Sequence, residues 1–356
     1  MGMTRKEFLA GMSASAALGV LGEPEGPATS RNGKMAWSMY QQLGSHMWES
    51  CVKAPFAKNG HYCGETTHID DESWERRMAK AAANGCNMMC IDLAEGLAYS
   101  SHPELAVEGS RSPKWMNDRV RKLRSLGIEA IPALNFSTAH DHWLGSYSRM
   151  ISTMPYYRMA RDLIDEVYDI FEKPSMINFG MDEENSDNTS KCQLSVRRQG
   201  DLLWHDIAFF ARAVRRLGSR PWMWSDYVWW RRDDYLKRVA KDIVQTNWYY
   251  GRDFDYENMP RPRRTYVEAY LWLDQAGYDQ MPCCSNYVDS QDRKEGVTVN
   301  TENIDRTLAF CKERLTPSRL IGFSCACWNG TSKRGDYGWF DACDQFAAAR
   351  KKHWGS

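Results

Sequence analysis

What most limits the folds open to this chain is an alternation repeated eight times. Short apolar runs lie at 35–40, 87–92, 129–135, 176–180, 221–225, 243–247, 280–284 and 320–327. Stretches with helical spacing separate them, at about 71–84, 112–126, 155–171, 200–217, 232–240, 262–276, 301–315 and 341–353. Strands that alternate with helices pair in parallel, because each helix returns the chain to the end of the sheet where the next strand starts. Ser112 and Pro113 give an N-cap followed by proline at the first helical position, and Gly127 and Gly218 stop their helices. Eight such units in a chain of 356 residues predict one (β/α)8 barrel. A doubly wound open sheet would announce a glycine-rich phosphate loop after its first strand, but SMYQQLGSHMWES holds a single glycine.

In a barrel the chemistry sits at the C-terminal ends of the strands. The predicted ends carry Gln41 and His46 after strand one, Asp92 and Glu95 after strand two, and Asn135, His140 and His142 after strand three. Strand four leads into Asp182, Glu183 and Glu184, and strand five into Trp224 and Asp226. The last three strands offer Asn247 and Trp248, then Tyr287, then Trp328. Acids, amides and tryptophans around one mouth suit a neutral, hydroxyl-rich ligand, because rings stack on the apolar faces of sugars and carboxylates accept their hydroxyls. The expected partner is therefore a carbohydrate.

The run of acids after strand four decides the chemistry. Most glycosidases set two carboxyl groups across the scissile bond from different strands. Strand seven offers Cys284, Ser285, Asn286 and Tyr287, with no acid before Asp289. Adjacent Asp182 and Glu183 cannot face each other across a bond. They can divide the labour where the substrate's own 2-acetamido carbonyl is the nucleophile: one carboxylate orients the acetamido group and steadies the developing charge, while its neighbour protonates the leaving oxygen.

INFGMDEEN, residues 177–185, resembles the H-x-G-G-D-E signature of the family 20 glycoside hydrolases, the β-N-acetylhexosaminidases and their relatives. The resemblance implies a (β/α)8 barrel, Asp182 as the acid that orients the acetamido group, and Glu183 as the general acid/base. Family tryptophans close the acetamido pocket on later strands, and Trp224, Trp248 and Trp328 stand in comparable places. Asn178 replaces the motif histidine and Met181 its second glycine. The family arginine of strand one has no counterpart, and Asn329 and Gly330 follow Trp328 where the family has an acid.

Other readings stay open at this stage. Asp226 is either a second functional acid or a helix-start cap, and His140 and His142 are either metal ligands or hydrogen-bonded loop residues. A metal-dependent sugar isomerase or epimerase needs Glu, Asp and His from several strand ends, and strands five to eight offer only Asp226. A secreted sugar-binding barrel without turnover is the non-enzymatic alternative. No cofactor or bound metal is called for. With 46 basic and 46 acidic residues the net charge is zero, which gives no reason to expect a nucleic-acid partner. Of the 11 cysteines, several (Cys86, Cys90, Cys283, Cys284, Cys325 and Cys327) lie in apolar runs as small buried hydrophobes, and mostly free thiols are expected. Residues 1–30 read as a twin-arginine-like export signal and linker, with Arg5 and Lys6 before a weakly apolar stretch, and 31–356 as the barrel. No run reaches the ~18–20 apolar residues of a spanning helix.

Overall fold

The computed structural model describes residues 34–44, 66–190, 192 and 195–355. The expected export signal at 1–30, and His46, lie outside the described residues.

Eight parallel strands form one sheet: β1 (Ala36–Gln42), β2 (Met88–Asp92), β3 (Glu129–Ala133), β4 (Met176–Asn178), β5 (Arg220–Trp224), β6 (Val244–Thr246), β7 (Cys283–Ser285) and β8 (Gly322–Ala326). Their order runs β6-β5-β4-β3-β2-β1-β8-β7. The two ends of this order meet through single bridges, Gln245 with Gln280 and Trp248 with Cys283, which bring the sheet to a nearly closed barrel. Between the strands stand α1 (Asp71–Ala83), α2 (Pro113–Ser125), α3 (Met154–Ile170), α4 (Asp201–Arg216), α5 (Arg232–Arg238), α6 (Arg263–Gln275), α7 (Asn303–Arg314) and α8 (Lys333–Trp354). This is the (β/α)8 architecture that the alternation predicts.

The near-continuous hydrophobicity of the strands follows from burial on both faces. Side chains alternate along a strand, so one set fills the barrel and the other meets the helices. Tyr40, Cys90, Ile131, Met176, Trp222, Val244 and Met281 pack together inside, whereas Met39, Ile91, Ile177, Met223, Phe323 and Cys325 join the layer beneath the helices. Inside the barrel, the indole of Trp222 donates to the Thr246 hydroxyl at 2.5 Å. The described cysteines are all free, and all but Cys192 are buried. No helix among the described residues is long and apolar enough to cross a membrane.

The last helix differs most from expectation. It starts at Lys333, well before position 341, with the Ser332 hydroxyl accepting from the Gly335 N–H at 3.2 Å. Gly335 and Gly338 weaken the helical pattern there. A Cβ on Gly335 would come within 2.5 Å of the Gly330 carbonyl oxygen and 2.8 Å of the buried Arg77 guanidinium. Glycine is required by that close approach, and it hides the helix from a reading of periodicity.

Candidate active site

The phase of the strands aims one set of side chains into the mouth. On β4 the Asn178 side chain accepts from the Gly180 N–H at 2.8 Å and turns the chain upward. Gly180 has φ 78°, and a Cβ there would lie 2.1 Å from the Asn135 side-chain oxygen. Only glycine lets this loop rest on Asn135. Met181 and Glu183 then adopt φ of 80° and 58°, left-handed values that cost a side-chain-bearing residue roughly 1–3 kcal/mol each. Ala94 (φ 39°) after β2 and Trp328 (φ 55°) after β8 are strained alike. All four lie past the C-terminal ends of their strands, and strained residues of this kind cluster at functional sites.

The turn delivers Asp182 and Glu183 to one imidazole. His140 Nε2 lies 3.2 Å from Asp182 Oδ2 and 3.1 Å from Glu183 Oε2. Asn135 Nδ2 donates to Asp182 Oδ1 at 2.8 Å, and the Ser137 hydroxyl donates to the Asp182 carbonyl. Asp226 Oδ2 accepts the Glu183 N–H at 2.8 Å. On the β2 side, the Tyr40 hydroxyl donates to Asp92 Oδ2 at 3.0 Å. Side-chain exposure is 5% for His140, 13% for Asp182 and 29% for Glu183, so the glutamate is the member of this trio most open to a ligand.

Charge is unevenly spread over these carboxyls. Burial disfavours a charged His140, yet the Asp182 and Glu183 carboxylates outweigh it and hold the imidazole well above its ordinary range. Burial also works against Asp182, but the His140 imidazolium and the Asn135 amide overcome it and keep this carboxyl below its usual value. Asp226 is pushed well up by burial and by the Asp182 charge. Asp92 is raised to about 7, chiefly by burial, with the Tyr40 hydrogen bond acting in the opposite direction. Asp92 Oδ1 and Asp226 Oδ1 are buried and have no hydrogen-bond partner among the described residues. The mouth thus sets an aspartate held towards its charged form beside an imidazole held towards its imidazolium, flanked by two carboxyls raised above their ordinary range.

Beside the acids stands a wall of rings. Ring centroids are separated by 5.5 Å for Tyr40–Trp224, 5.4 Å for Tyr40–Trp328 and 5.9 Å for Trp224–Trp328. Tyr250 continues the wall at 6.2 Å from Trp328 and stacks on Trp248 at 5.1 Å. Trp224 is nearly sealed inside the wall, while Trp248 and Trp328 are half-buried. Tyr287 sits at the rim beside Tyr250, 38% exposed, with the Arg293 guanidinium 4.9 Å above its ring.

Two residues singled out in sequence point elsewhere. Asn247 faces out of the barrel, accepting from the Trp229 indole at 2.8 Å and donating to the Tyr266 carbonyl at 2.8 Å. Gln41 is turned outward in the same way and donates to the Thr331 hydroxyl at 2.6 Å. Tyr40 and Tyr250 were not singled out, although strand phase carries a signal for the first: Tyr40 shares the face of Ala36, an interior residue. Glu184, the third acid of the run, is turned away from its neighbours and buried against Arg198. Among the described residues no group of three or more His, Cys, Asp or Glu is placed to hold a metal ion.

No family model and no curated protein matches the chain. Solved structures do. The GH20 exo-β-N-acetylglucosaminidase from Vibrio harveyi aligns over 91% of this chain and 54% of its own, with TM-score 0.60 and 15% identity. A β-N-acetylhexosaminidase from Bacteroides fragilis aligns over 92% and 71%, with TM-score 0.59 and 14% identity. A chitobiase from Flavobacterium johnsoniae aligns over 92% and 51%, with TM-score 0.56 and 14% identity. The chain therefore spans about half the length of the first and third of these proteins. At such identities the likeness is one of fold.

Proposed function

We propose that this chain is a retaining glycoside hydrolase that removes a 2-acetamido sugar by substrate assistance. The observation that carries the reading is the adjacent Asp182–Glu183 pair bridged by His140 at the C-terminal mouth of the barrel. The fold is that of the solved β-N-acetylhexosaminidases, which supports the same assignment.

The two acids divide the work according to their surroundings. Asp182 is held ionised by His140 and Asn135, so it accepts the acetamido N–H and stabilises the positive charge as the carbonyl oxygen closes on the anomeric carbon. Glu183, the more exposed acid, gives its proton to the departing glycosidic oxygen. It then takes a proton from the water that opens the cyclic intermediate, which restores both the acetamido group and the acid. His140 stands between the two acids and orients both. The half-buried rings of Trp248 and Trp328, with Tyr40 packed behind Trp328, supply the apolar surface on which a pyranose face packs, at roughly 1–3 kcal/mol for a well-buried ring.

A nitrophenyl glycoside screen tests this reading, comparing 2-acetamido sugars with the corresponding glucoside and galactoside while a chelator is titrated. Chelator-resistant release from the acetamido sugars alone supports it. Equal rates on plain glycosides overturn substrate assistance and leave Asp226 and Asp92 as candidate nucleophiles. Chelator-sensitive isomerisation, or binding without turnover, overturns the hydrolase.

A further inference from the structure

Behind the acid pair lies a charged group that the proposed chemistry does not use. Arg198 is fully buried and makes four directed contacts. Its Nη1 donates to Glu184 Oε1 at 2.6 Å and to the Phe136 carbonyl at 3.0 Å. Its Nε donates to Asp206 Oδ2 at 2.6 Å, and its Nη2 to the Tyr156 hydroxyl at 2.8 Å. Glu184 in turn accepts the Thr138 N–H at 2.9 Å and the Thr138 hydroxyl at 2.8 Å. Phe136 and Thr138 belong to the loop that carries Asn135 and His140, while Glu184 directly follows the acid pair.

We infer that Arg198 is a positioning residue: it ties the β3 loop to the β4 loop and so sets His140 against Asp182 and Glu183. Stability alone is a weak reason for such a group. Taking a guanidinium and two carboxylates out of water costs several kcal/mol per ion, and apolar replacements of similar volume are often neutral or better. What apolar residues cannot supply is direction. The planar guanidinium fork fixes two loops at once in angle as well as distance. Glu183 needs that constraint, because its left-handed backbone persists only where its surroundings over-determine it. A slip of about 1 Å between reacting groups can cost ~10²-fold in rate. Arg198 contacts none of Asp182, Glu183 and His140, so it acts through the loops.

This inference rests on the hydrolase reading for its kinetic arm only. Its structural arm is the titration of His140, followed by NMR of the ring carbons. The titratable groups around that ring are Asp182, Glu183, Asp92 and Asp141. In Arg198→Lys and in Glu184→Gln the two loops should part, and the His140 titration should drop towards that of a free imidazole. With turnover in hand, kcat should fall on the order of 10²-fold while KM moves little. Guanidinium added to Arg198→Gly should restore part of the rate. Glu184→Gln keeps the side chain's shape and serves if the arginine variants do not fold. A folded variant whose His140 titration matches wild type overturns the inference, whether or not the protein hydrolyses anything. Wild-type protein inert on every glycoside overturns the proposed function and leaves the titration to decide the clamp.

Discussion

Glu183 is held at its backbone by Asp226, at its side chain by His140, and in its conformation by a loop it alone would not choose. If it is the general acid, Glu183→Gln should lose ~10²–10⁴-fold on a poorly departing alkyl glycoside. The same variant should lose far less on a nitrophenyl glycoside, whose leaving group needs little protonation. Equal losses on both would mean that Glu183 does not protonate the leaving oxygen. Asp92 gives a second test, through stability. Its carboxyl titrates near 3.9 when unfolded and at about 7 in the fold. The folded state therefore favours the protonated acid, and this contribution erodes as pH rises from about 4 to 7. Asp92→Asn removes the penalty, so its melting temperature relative to wild type should climb across that range, by a few kcal/mol equivalent at most. A constant difference from about pH 4.5 to 8 would show that Asp92 is not the raised acid. The gathering of acids and tryptophans at one mouth was legible in sequence because they stand at strand ends. Glu184 was not, because adjacency in sequence does not say which way a side chain turns once the backbone leaves the strand. Asn247 misled for the complementary reason: its strand is short, and a single step in phase moves a side chain from the lumen to the helix layer.

The strands are unequal partners. β1 and β2 pair through five register positions, from Ser38–Met88 to Gln42–Asp92, whereas β6 and β7 touch only through isolated bridges. Opening is easiest where the fewest backbone bonds must break together. In hydrogen exchange, the Met281 and Cys283 amides, which bond to Gln245 and Asn247 across that seam, should exchange ahead of those of β2. Slower exchange at the seam than in β2 would mean that the barrel closes more firmly than its ladder implies. Every strand was foreseen within a few residues, since burial on both faces leaves an unbroken apolar signature. Helices were foreseen through their apolar spacing, and two of them also through a cap or a glycine stop. The first turns of α8 were not, because tertiary contact with Arg77, rather than helical propensity, selects the glycines there.

For the molecule as a whole, the barrel draws its strands from residues 36–326, and the proposed export signal at 1–30 precedes them all. We expect protein recovered from outside the cytoplasm to begin beyond residue 30. Intact mass from Met1 in exported protein would count against the signal. The division of the mouth into acids and rings has one more consequence. The acids and their histidine come from Asp92 to Asp226, and apart from Tyr40 the rings come from Trp224 to Trp328. Apart from Tyr40, the acids and the rings are thus written in consecutive lengths of one chain that meet at β5. A crossover placed there by recombination would give this acid centre a new Trp248, Tyr250 and Trp328 in one event while Tyr40 stayed behind, so that most of the wall can be exchanged independently of the acids.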